Sequence, residues 1–313
     1  MIKIKNINYK GWQKAIEISN SEIKIIVIPE TGRIIFFGFL DADNLFYENK
    51  ELEGVVFKNG AYYTENGINV SPNIGGNRVL PCSENYFHLI TGSRHIPDPF
   101  INASSYAVSI LDNGVVLESP ISTLMGIQIK RTITILESGT QVKINQELIK
   151  KKPAKNIDLE KIPFTIWSLS KIKTPNNSYT SLSKNSIFKE GFTISKWPDA
   201  KNNAEQNVTV NNSLLTLKST KDLPQKIGAD VKKWVAGFLN DTLFIEKFTF
   251  DEKAIYPDDG TSVTIFGNHL FTELECLSPE KTLKIGEKIS YNLQWNLIKI
   301  VDEHHLKREL NNI

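Results

Sequence analysis

The sequence predicts an all-β protein in which antiparallel strands form a sandwich or a barrel. Apolar and β-branched residues alternate with polar residues over most of the chain, and this two-residue period is typical of half-buried strands. Short polar turns separate many of these segments, as they do in antiparallel hairpins. Only the segment DEHHLKREL near the C-terminus has a helical pattern. These three observations favour a β-sandwich or barrel.

Four hairpins can be placed in chain order. The first, EIKIIVIPETGRIIFFGFL, is interrupted by Pro29 and by a turn at Thr31-Gly32. The turns of the other three are Asn113-Gly114, Ser138-Gly139 and Asn240-Asp241. Small polar residues and glycine tolerate the backbone angles of tight turns, so each segment is expected to fold back on itself.

The 313 residues allow either two domains or one large all-β domain. No Pro/Gly/Ser-rich linker divides the chain and no fixed-period repeat is present, so residues 1–313 are predicted to form a single domain. Two polar stretches, TPNNSYTSLSKNS and DAKNNAEQNVTVNNS, are interpreted as long loops or hairpin tips.

Composition excludes several classes of function. The 37 Lys and Arg residues nearly balance the 35 Asp and Glu residues, and a net charge of +2 is too small for a nucleic-acid-binding protein. The N-terminus lacks the pattern of an export signal, and no apolar segment is long enough to span a membrane. We therefore expect a cytoplasmic protein without a membrane partner, in which Cys82 and Cys276 are reduced thiols.

Sequence motifs for nucleotides and for common nucleophiles are missing. No Gly-x-Ser-x-Gly elbow, Walker loop or dinucleotide fingerprint occurs, and the two cysteines cannot form a four-ligand zinc site. No cofactor and no metal ion are expected.

The segment NHLFTELECL contains the strongest candidate for acid–base chemistry. As a strand it places Glu273 and Glu275 on one face, about 7 Å apart. Two like charges on a partly buried face would raise one pKa and so provide a group that exchanges protons near neutrality. The alternative is a solvent-facing strand with two ordinary glutamates.

The stretch SPNIGGNRVLPCSENYFHLITGSRHIPDPF, residues 71–100, differs from the alternating segments. It combines adjacent glycines, an Asn-Arg pair, two histidines and four prolines. Glycines allow a close approach of the backbone to a ligand and prolines restrict the path of a loop. The stretch is therefore either a loop of a functional site or an irregular connection.

Three segments together resemble the galactose mutarotase-like (aldose 1-epimerase) proteins. ELECLSPEKTLKIGEKISYNLQWNL is similar to the end of those proteins, GGNRVL to their sugar-binding Asn-Arg segment, and VIPETGRIIFFGFLDADNLFYEN to their opening hairpins. The order of the segments also agrees. The resemblance implies an antiparallel β-supersandwich with a carbohydrate site on its concave face.

The resemblance also implies roles for particular residues. Asn77 and Arg78 correspond to residues that bind sugar hydroxyls, and Glu275 corresponds to the catalytic base. Glu273 replaces Glu275 if the register differs by one pleat. A planar guanidinium donates to two oxygens at once, which suits Arg78 to this role. A salt bridge that anchors the loop is the alternative role of Arg78.

The chain departs from the family at the general acid. The family uses a mid-chain histidine, whereas the matching region here reads KIPFTIWSLSKI, and Trp167 cannot donate a proton as an acid does. Trp167 either stacks on a sugar or packs in the core. His95 and His88 are candidates for lining the pocket, and neither clearly replaces the missing acid.

The resemblance places one more sugar-binding polar residue in the segment LPQKIGADVKKW, where Lys226 and Asp230 are both available. The sequence thus predicts a carbohydrate-binding protein. It is either an aldose epimerase, which is an isomerase that uses the glutamate of a late strand, or a noncatalytic sugar-binding or sensing protein. A glycoside hydrolase using Glu273 and Glu275 is disfavoured, because glycosidase carboxylates approach the scissile bond from opposite sides.

Overall fold

The computed structural model describes residues 1–194, 204–220 and 224–313. Two ten-stranded sheets and one small hairpin make up its strands, and neighbouring strands in all of them run antiparallel. Strands and helices are numbered here in chain order. The first sheet contains, in spatial order, β1 (Lys3–Tyr9), β2 (Trp12–Ser19), β3 (Ile23–Ile28), β4 (Arg33–Phe39), β7 (Gly76–Leu80), β12 (Trp167–Lys173), β21 (Phe271–Leu277), β20 (Val263–Gly267), β17 (Gln225–Ala229) and β14 (Thr193–Ile194).

The second sheet packs against the first. It contains, in spatial order, β15 (Val208–Asn211), β16 (Leu214–Lys218), β13 (Asn177–Ser181), β18 (Trp234–Leu239), β19 (Thr242–Phe248), β22 (Lys288–Lys299), β11 (Val142–Lys150), β10 (Ile127–Ile135), β9 (Gly114–Glu118) and β8 (Ala107–Leu111). The small hairpin joins β5 (Tyr63–Glu65) to β6 (Ile68–Val70). The helices are α1 (Phe87–Thr91), α2 (Pro99–Asn102), α3 (Ile157–Glu160), α4 (Ala204–Asn207), α5 (Pro257–Gly260) and α6 (Glu303–Asn312).

The predicted fold class and all four predicted hairpins are confirmed. The hairpins are β3–β4, β8–β9, β10–β11 and β18–β19. The helix predicted near the C-terminus is α6, and the side chain of Asp302 caps it by accepting a hydrogen bond from the backbone N–H of His305 at 2.7 Å. Cys82 and Cys276 form no disulfide, in agreement with the predicted thiols, and both side chains are buried.

The prediction of loops in the two polar stretches is wrong for part of each. The first contains β13, and the second contains α4 and β15, while residues 199–203 of the second lie outside the described residues. β13 is hydrogen-bonded on both edges, to β16 and β18. Its buried Ser178 and Thr180 occupy a central strand, where the ladders satisfy the backbone polar groups.

Aromatic side chains join the two sheets at the centre of the core. Phe37 of the first sheet lies 5.5 Å from Trp295 and 5.8 Å from Phe244, both of the second sheet, between ring centroids. The three rings are fully buried. Burial of aromatic surface together with favourable tilted and edge contacts fixes the distance between the sheets at this point.

A polar seam of buried side chains also crosses the space between the sheets. Arg131 of the second sheet donates hydrogen bonds to Asn77 and to the carbonyl of Gly32 in the first. Ser170 accepts from Asn77 at 2.9 Å and donates to Glu246 at 2.7 Å. Burial raises the pKa of Glu246 to about 8, so this carboxyl group is mostly protonated at neutral pH.

The segment before β7 reaches the sheet through a close backbone contact. Gly75 has a φ of 102°, and a Cβ atom added to it would lie 2.1 Å from the carbonyl oxygen of Tyr47. The same oxygen accepts a hydrogen bond from the N–H of Gly76 at 3.0 Å. A side chain at Gly75 would therefore displace the backbone that leads into β7.

We expect Gly75→Ala to lower the free energy of unfolding by about 2 to 5 kcal/mol, because backbone strain and overpacking add. Gly67→Ala is the matched control, since Gly67 has a φ of 78° and no atom within 4 Å of an added Cβ. It should lose only about 1 to 2 kcal/mol. Urea unfolding of the two variants measures the difference, and equal losses would contradict the proposed backbone clash.

Candidate functional site

Two rows of side chains cross the outer face of the first sheet. Residues directly opposite each other in antiparallel strands share a face of the sheet. One row contains Gly228, Thr264, Glu275, Leu169 and Arg78. The next row contains Lys226, Phe266, Glu273 and Lys171. The strand pairing therefore brings side chains from five strands, distant in sequence, to one surface.

A cavity of about 240 Å³, called here the glutamate cavity, lies on this surface. Its lining includes Arg78, Trp167, Lys226, Glu273 and Glu275. A second cavity of about 610 Å³, the adjoining cavity, shares Glu84, His95 and Lys226 with it. The two cavities are therefore adjacent.

The stretch 71–100 forms part of the wall of the glutamate cavity. Ser71, Glu84, His95 and Pro97 of that stretch line the glutamate cavity together with Arg78. The stretch with the irregular composition therefore lies at the edge of a cavity.

Glu275 is the buried acid of the glutamate cavity. It is 1% exposed, and one of its oxygens accepts a hydrogen bond from the indole N–H of Trp167 at 3.0 Å. Burial raises its pKa to about 8, although Lys226 opposes the shift; Glu273 adds to it. Glu275 is therefore mostly protonated at neutral pH and able to give a proton.

Glu273 is held in the opposite state by neighbouring cations. Its carboxylate forms an ion pair with Lys171 at 2.9 Å. Burial raises the pKa of Glu273, but Lys171, Arg78 and Lys226 outweigh this effect, and the pKa lies below its ordinary value of 4.5. Two glutamates two residues apart thus differ in protonation at neutral pH.

Two lysines lie beside the glutamates: Lys226 lines the cavity, and Lys171 pairs with Glu273. Burial lowers the pKa of Lys171 to about 8, while Glu273 counteracts the shift. Burial also lowers the pKa of Lys226, but Glu275, Glu84 and Asp258 outweigh it, so the pKa lies above 10.5. Lys226 therefore stays protonated over the neutral range.

Trp167 packs in the core and also lines the glutamate cavity. Its ring stacks on Phe87 with centroids 6.4 Å apart and is only 4% exposed, so it belongs to the core. It also lines the glutamate cavity and lies beneath Lys226, whose Nζ is 5.6 Å from the ring centroid. The indole N–H orients Glu275 from the apolar side.

The two candidate histidines differ in position. His95 lines both cavities, its side chain is 58% exposed, and its Nδ1 is 3.6 Å from a carboxylate oxygen of Glu84. His88 lines only the adjoining cavity. Asp230, the sequence alternative to Lys226, accepts hydrogen bonds from Ser186 and from the backbone of Ile187 and lines neither cavity.

The assignment of Asn77 to the sugar site is wrong. Asn77 is fully buried between the sheets, where it contacts Ser168, Ser170 and Arg131. Successive residues of a strand point to opposite faces, so the Asn-Arg pair cannot present both side chains to one cavity. Arg78 faces the cavity and Asn77 faces the polar seam.

The sequence prediction omitted Lys171 and Glu84. Alternation along WSLSKIK places Trp167, Leu169 and Lys171 on one face and the serines on the other. That pattern could have identified Lys171 once Trp167 was assigned to the site. Glu84 lies in an irregular turn after β7, where no periodic pattern indicates the direction of a side chain.

Two expected absences can be examined in the described part of the chain. It contains no group of three or more His, Cys, Asp or Glu side chains arranged to hold a metal ion. None of its helices has the length and apolar character needed to cross a membrane.

Comparison with known families identifies one match. Residues 82–298, more than half of the chain, match the family described as Domain of unknown function (DUF4380). The chain belongs to this family. No curated protein matches the chain.

Several solved structures with a similar fold are of galactose mutarotase-like proteins. A galactose mutarotase-like protein from Lactobacillus casei ATCC 334 has a TM-score of 0.57 and 14% identity, with 91% of this chain and 100% of that chain covered. A galactose mutarotase related enzyme from Lactobacillus acidophilus has a TM-score of 0.54 and 9% identity, with coverages of 92% and 99%. At these identities the likeness shows the fold alone, and it confirms the predicted mutarotase-like β-supersandwich.

We expect Trp167→Phe to raise the pKa of Glu275 above its value in the unaltered protein. A hydrogen bond donated to a carboxylate favours the ionised form, and the substitution removes that donor while it keeps an aromatic ring. Carbon-13 NMR titration of labelled glutamate carboxyls measures the shift. Trp12→Phe, which removes the indole N–H that donates to Val55 far from the site, should leave Glu275 unaffected. An unchanged or lowered pKa in Trp167→Phe would contradict this role.

Proposed function

We propose that the glutamate cavity binds the ring of an aldose or a sugar derivative and that the protein epimerises it at the anomeric carbon. One observation supports the proposal above all others: two carboxyl groups on one strand, at the base of a cavity, have pKa values displaced to opposite sides of neutrality. Such a pair supplies an acid and a base at the same pH.

The dimensions and lining of the cavity agree with a small polyhydroxylated ligand. Its volume of about 240 Å³ is somewhat below the roughly 300 Å³ at which pockets for drug-sized ligands begin. Arg78, Lys226 and His95 offer donors around its edge, while Leu169 and Phe266 supply apolar surface. Sugars present hydroxyl groups at the ring edge and C–H groups on the ring faces, so they use both kinds of contact.

The proposed reaction needs two proton transfers in each direction. The Glu275 carboxyl donates its proton to the ring oxygen, while the Glu273 carboxylate accepts the proton of the anomeric hydroxyl. The bond between the anomeric carbon and the ring oxygen breaks, and an open-chain aldehyde forms. Rotation about the C1–C2 bond, followed by the reverse transfers, closes the ring with either configuration and restores both carboxyl groups.

This assignment explains how the reaction proceeds without the mid-chain histidine that the mutarotase-like proteins use as an acid. The family uses its late-strand glutamate as a base and a mid-chain histidine as an acid, whereas this chain has a tryptophan in that region. Here the buried Glu275 takes the part of the acid, because its pKa of about 8 keeps it protonated at neutral pH. Glu273, which the resemblance offered only as a replacement, takes the part of the base.

Noncatalytic sugar binding is the second candidate function. It is favoured by the ion pair of Glu273 with Lys171, which lowers the basicity of the proposed base. A sugar sensor would use the same cavity without proton transfer. The two functions differ in a single measurement, which is the rate of anomeric exchange compared with buffer.

We expect Glu275→Gln to reduce anomeric exchange by about 100- to 10,000-fold, the usual contribution of a general acid or base, and to change sugar affinity little. Polarimetry or NMR exchange of freshly dissolved galactose and glucose measures the rate, and calorimetry measures binding. Glu147→Gln is the control, since Glu147 pairs with Lys288 on the other sheet. Unchanged exchange in Glu275→Gln would remove Glu275 from the reaction, and a wild-type rate equal to buffer with retained binding would favour the sensor.

The pH dependence should report which proton Glu275 carries. A group with a raised pKa loses its proton as the pH passes through that value, so kcat/KM should fall above a pH of about 8. On the acidic side kcat/KM should fall only below 4.5, where Glu273 becomes protonated. The measurement is exchange of galactose from pH 4 to 10 after correction for buffer catalysis. A rate that rises through pH 8 would make Glu275 the base instead.

A further inference from the structure

Three cationic side chains lie near one another on β4, β7 and β12, and one of them, Arg78, lines the glutamate cavity. Arg33, Arg78 and Lys171 affect one another strongly enough that Arg78 lowers the pKa of both Arg33 and Lys171, in addition to the larger effect of burial. Glu273 is the carboxylate in contact with this group, and it pairs with Lys171. Three positive charges thus have one carboxylate in direct contact, while Glu275 and Glu84 act on Arg78 from farther away.

The two arginines donate only to neutral acceptors among the described residues. The side-chain oxygen of Asn102 accepts from Arg78 at 2.9 Å and from Arg33 at 3.3 Å. Arg33 also donates to the carbonyl oxygens of Gly75 and Asn102, and Arg78 has a weak contact with Ser71 at 3.5 Å. Buried charges are normally balanced by an opposite charge, because desolvation without such a partner is unfavourable.

Arg78 faces the cavity with unused hydrogen-bonding capacity. Its Nη1 atom makes both of the contacts given above, and its buried Nε has no hydrogen-bond partner. The guanidinium fork matches the two oxygens of a carboxylate or phosphate. Arg78 therefore combines a charge that has no direct ion pair among the described residues, an unsatisfied donor and a position on the cavity wall.

We propose that the sugar bound in the glutamate cavity carries an anionic group, a carboxylate or a phosphate, that binds Arg78. This inference rests on the proposed function, and it names the substrate class of the same site. The anion supplies the negative charge that the cluster of Arg33, Arg78 and Lys171 lacks. The role differs from hydroxyl binding, which the resemblance implied for Arg78.

The position of Arg78 also determines where on the sugar the anionic group lies. Arg78 and Glu275 belong to the same cross-strand row, with Leu169 between them. Two strand spacings separate their backbones by about 10 Å. The anomeric hydroxyl must stay free to give its proton to Glu273, so the anion belongs on another carbon of the sugar, as in a uronate or a 6-phosphate. A 1-phosphate would both approach the glutamates and block the anomeric hydroxyl.

The first experiment compares anionic sugars with their neutral counterparts. Calorimetry gives dissociation constants for glucuronate, galacturonate, glucose 6-phosphate and galactose 6-phosphate, and for glucose, galactose and inorganic phosphate. We expect at least one anionic class to bind about tenfold more tightly than the neutral sugar, as one charge-assisted contact provides, with a preference that weakens in salt. Preference for uronates identifies a carboxylate and preference for sugar phosphates a phosphate. Equal affinity for neutral and anionic sugars, or for inorganic phosphate and sugar phosphate, overturns the inference.

The second experiment supplies the missing negative charge from within the protein. Asn102→Asp keeps the shape of the side chain and places a carboxylate against both arginines. We expect the preference for anionic over neutral sugars to fall about tenfold, and the melting temperature to stay equal or to rise. Asn292→Asp is the matched control, because Asn292 lies on the second sheet and its side-chain oxygen only accepts from Asn145. Its preference should equal that of the unaltered protein.

Arg78→Lys provides an independent variant if Asn102→Asp does not fold. It keeps the charge but removes the planar fork, so the preference for anionic sugars should weaken while some of it remains. An unchanged preference in either folded variant overturns the inference. Glu275-dependent exchange of neutral sugars without any anionic preference would leave the proposed function standing and refute this inference alone. A preference for anionic sugars without any anomeric exchange would support this inference and refute the proposed catalysis.

Discussion

The hydrogen-bonded register between β12 and β21 determines the candidate site. Along this ladder Leu169 lies opposite Glu275 and Lys171 lies opposite Glu273, so that the acids and the lysine share the outer face of the sheet. A shift of one residue would turn both glutamates towards the aromatic core, where no cation of the cavity could reach them. The register is protected because the opposite face of the same two strands is buried against the second sheet.

The central strands of the first sheet carry polar groups on both faces. Ser168 and Ser170 of β12 face inward and contact Asn77, while Lys171 faces outward and pairs with Glu273. The inward polar groups are satisfied mainly by one another and by Arg131. Each face thus has its own network, and the sheet separates a neutral-to-cationic seam in the interior from the charged cavity outside.

Opposed environments produce the chemical asymmetry of the two glutamates. Glu273 contacts an ammonium group, whereas Glu275 receives an indole N–H and lies deeper. Desolvation acts on both, but only Glu273 has an ion pair that outweighs it. Burial also acts on Arg78, whose hydrogen bonds go to the neutral side chains of Ser71 and Asn102. The charge is therefore unevenly distributed along the cavity.

The sequence by itself determined the strand class, the four hairpins and the shared face of Glu273 and Glu275, because a two-residue period and turn chemistry are local properties. The motifs near both ends also indicated the mutarotase-like fold. Local periodicity indicates that Asn77 and Arg78 point to opposite faces of β7. It does not indicate which of the two side chains faces the cavity, because both are polar. Only the tertiary structure decided this, together with the contacts of Lys171, Glu84 and Asn102. These residues come from separate parts of the chain, and their charges and pKa values depend on burial and on neighbours that sheet packing alone brings together.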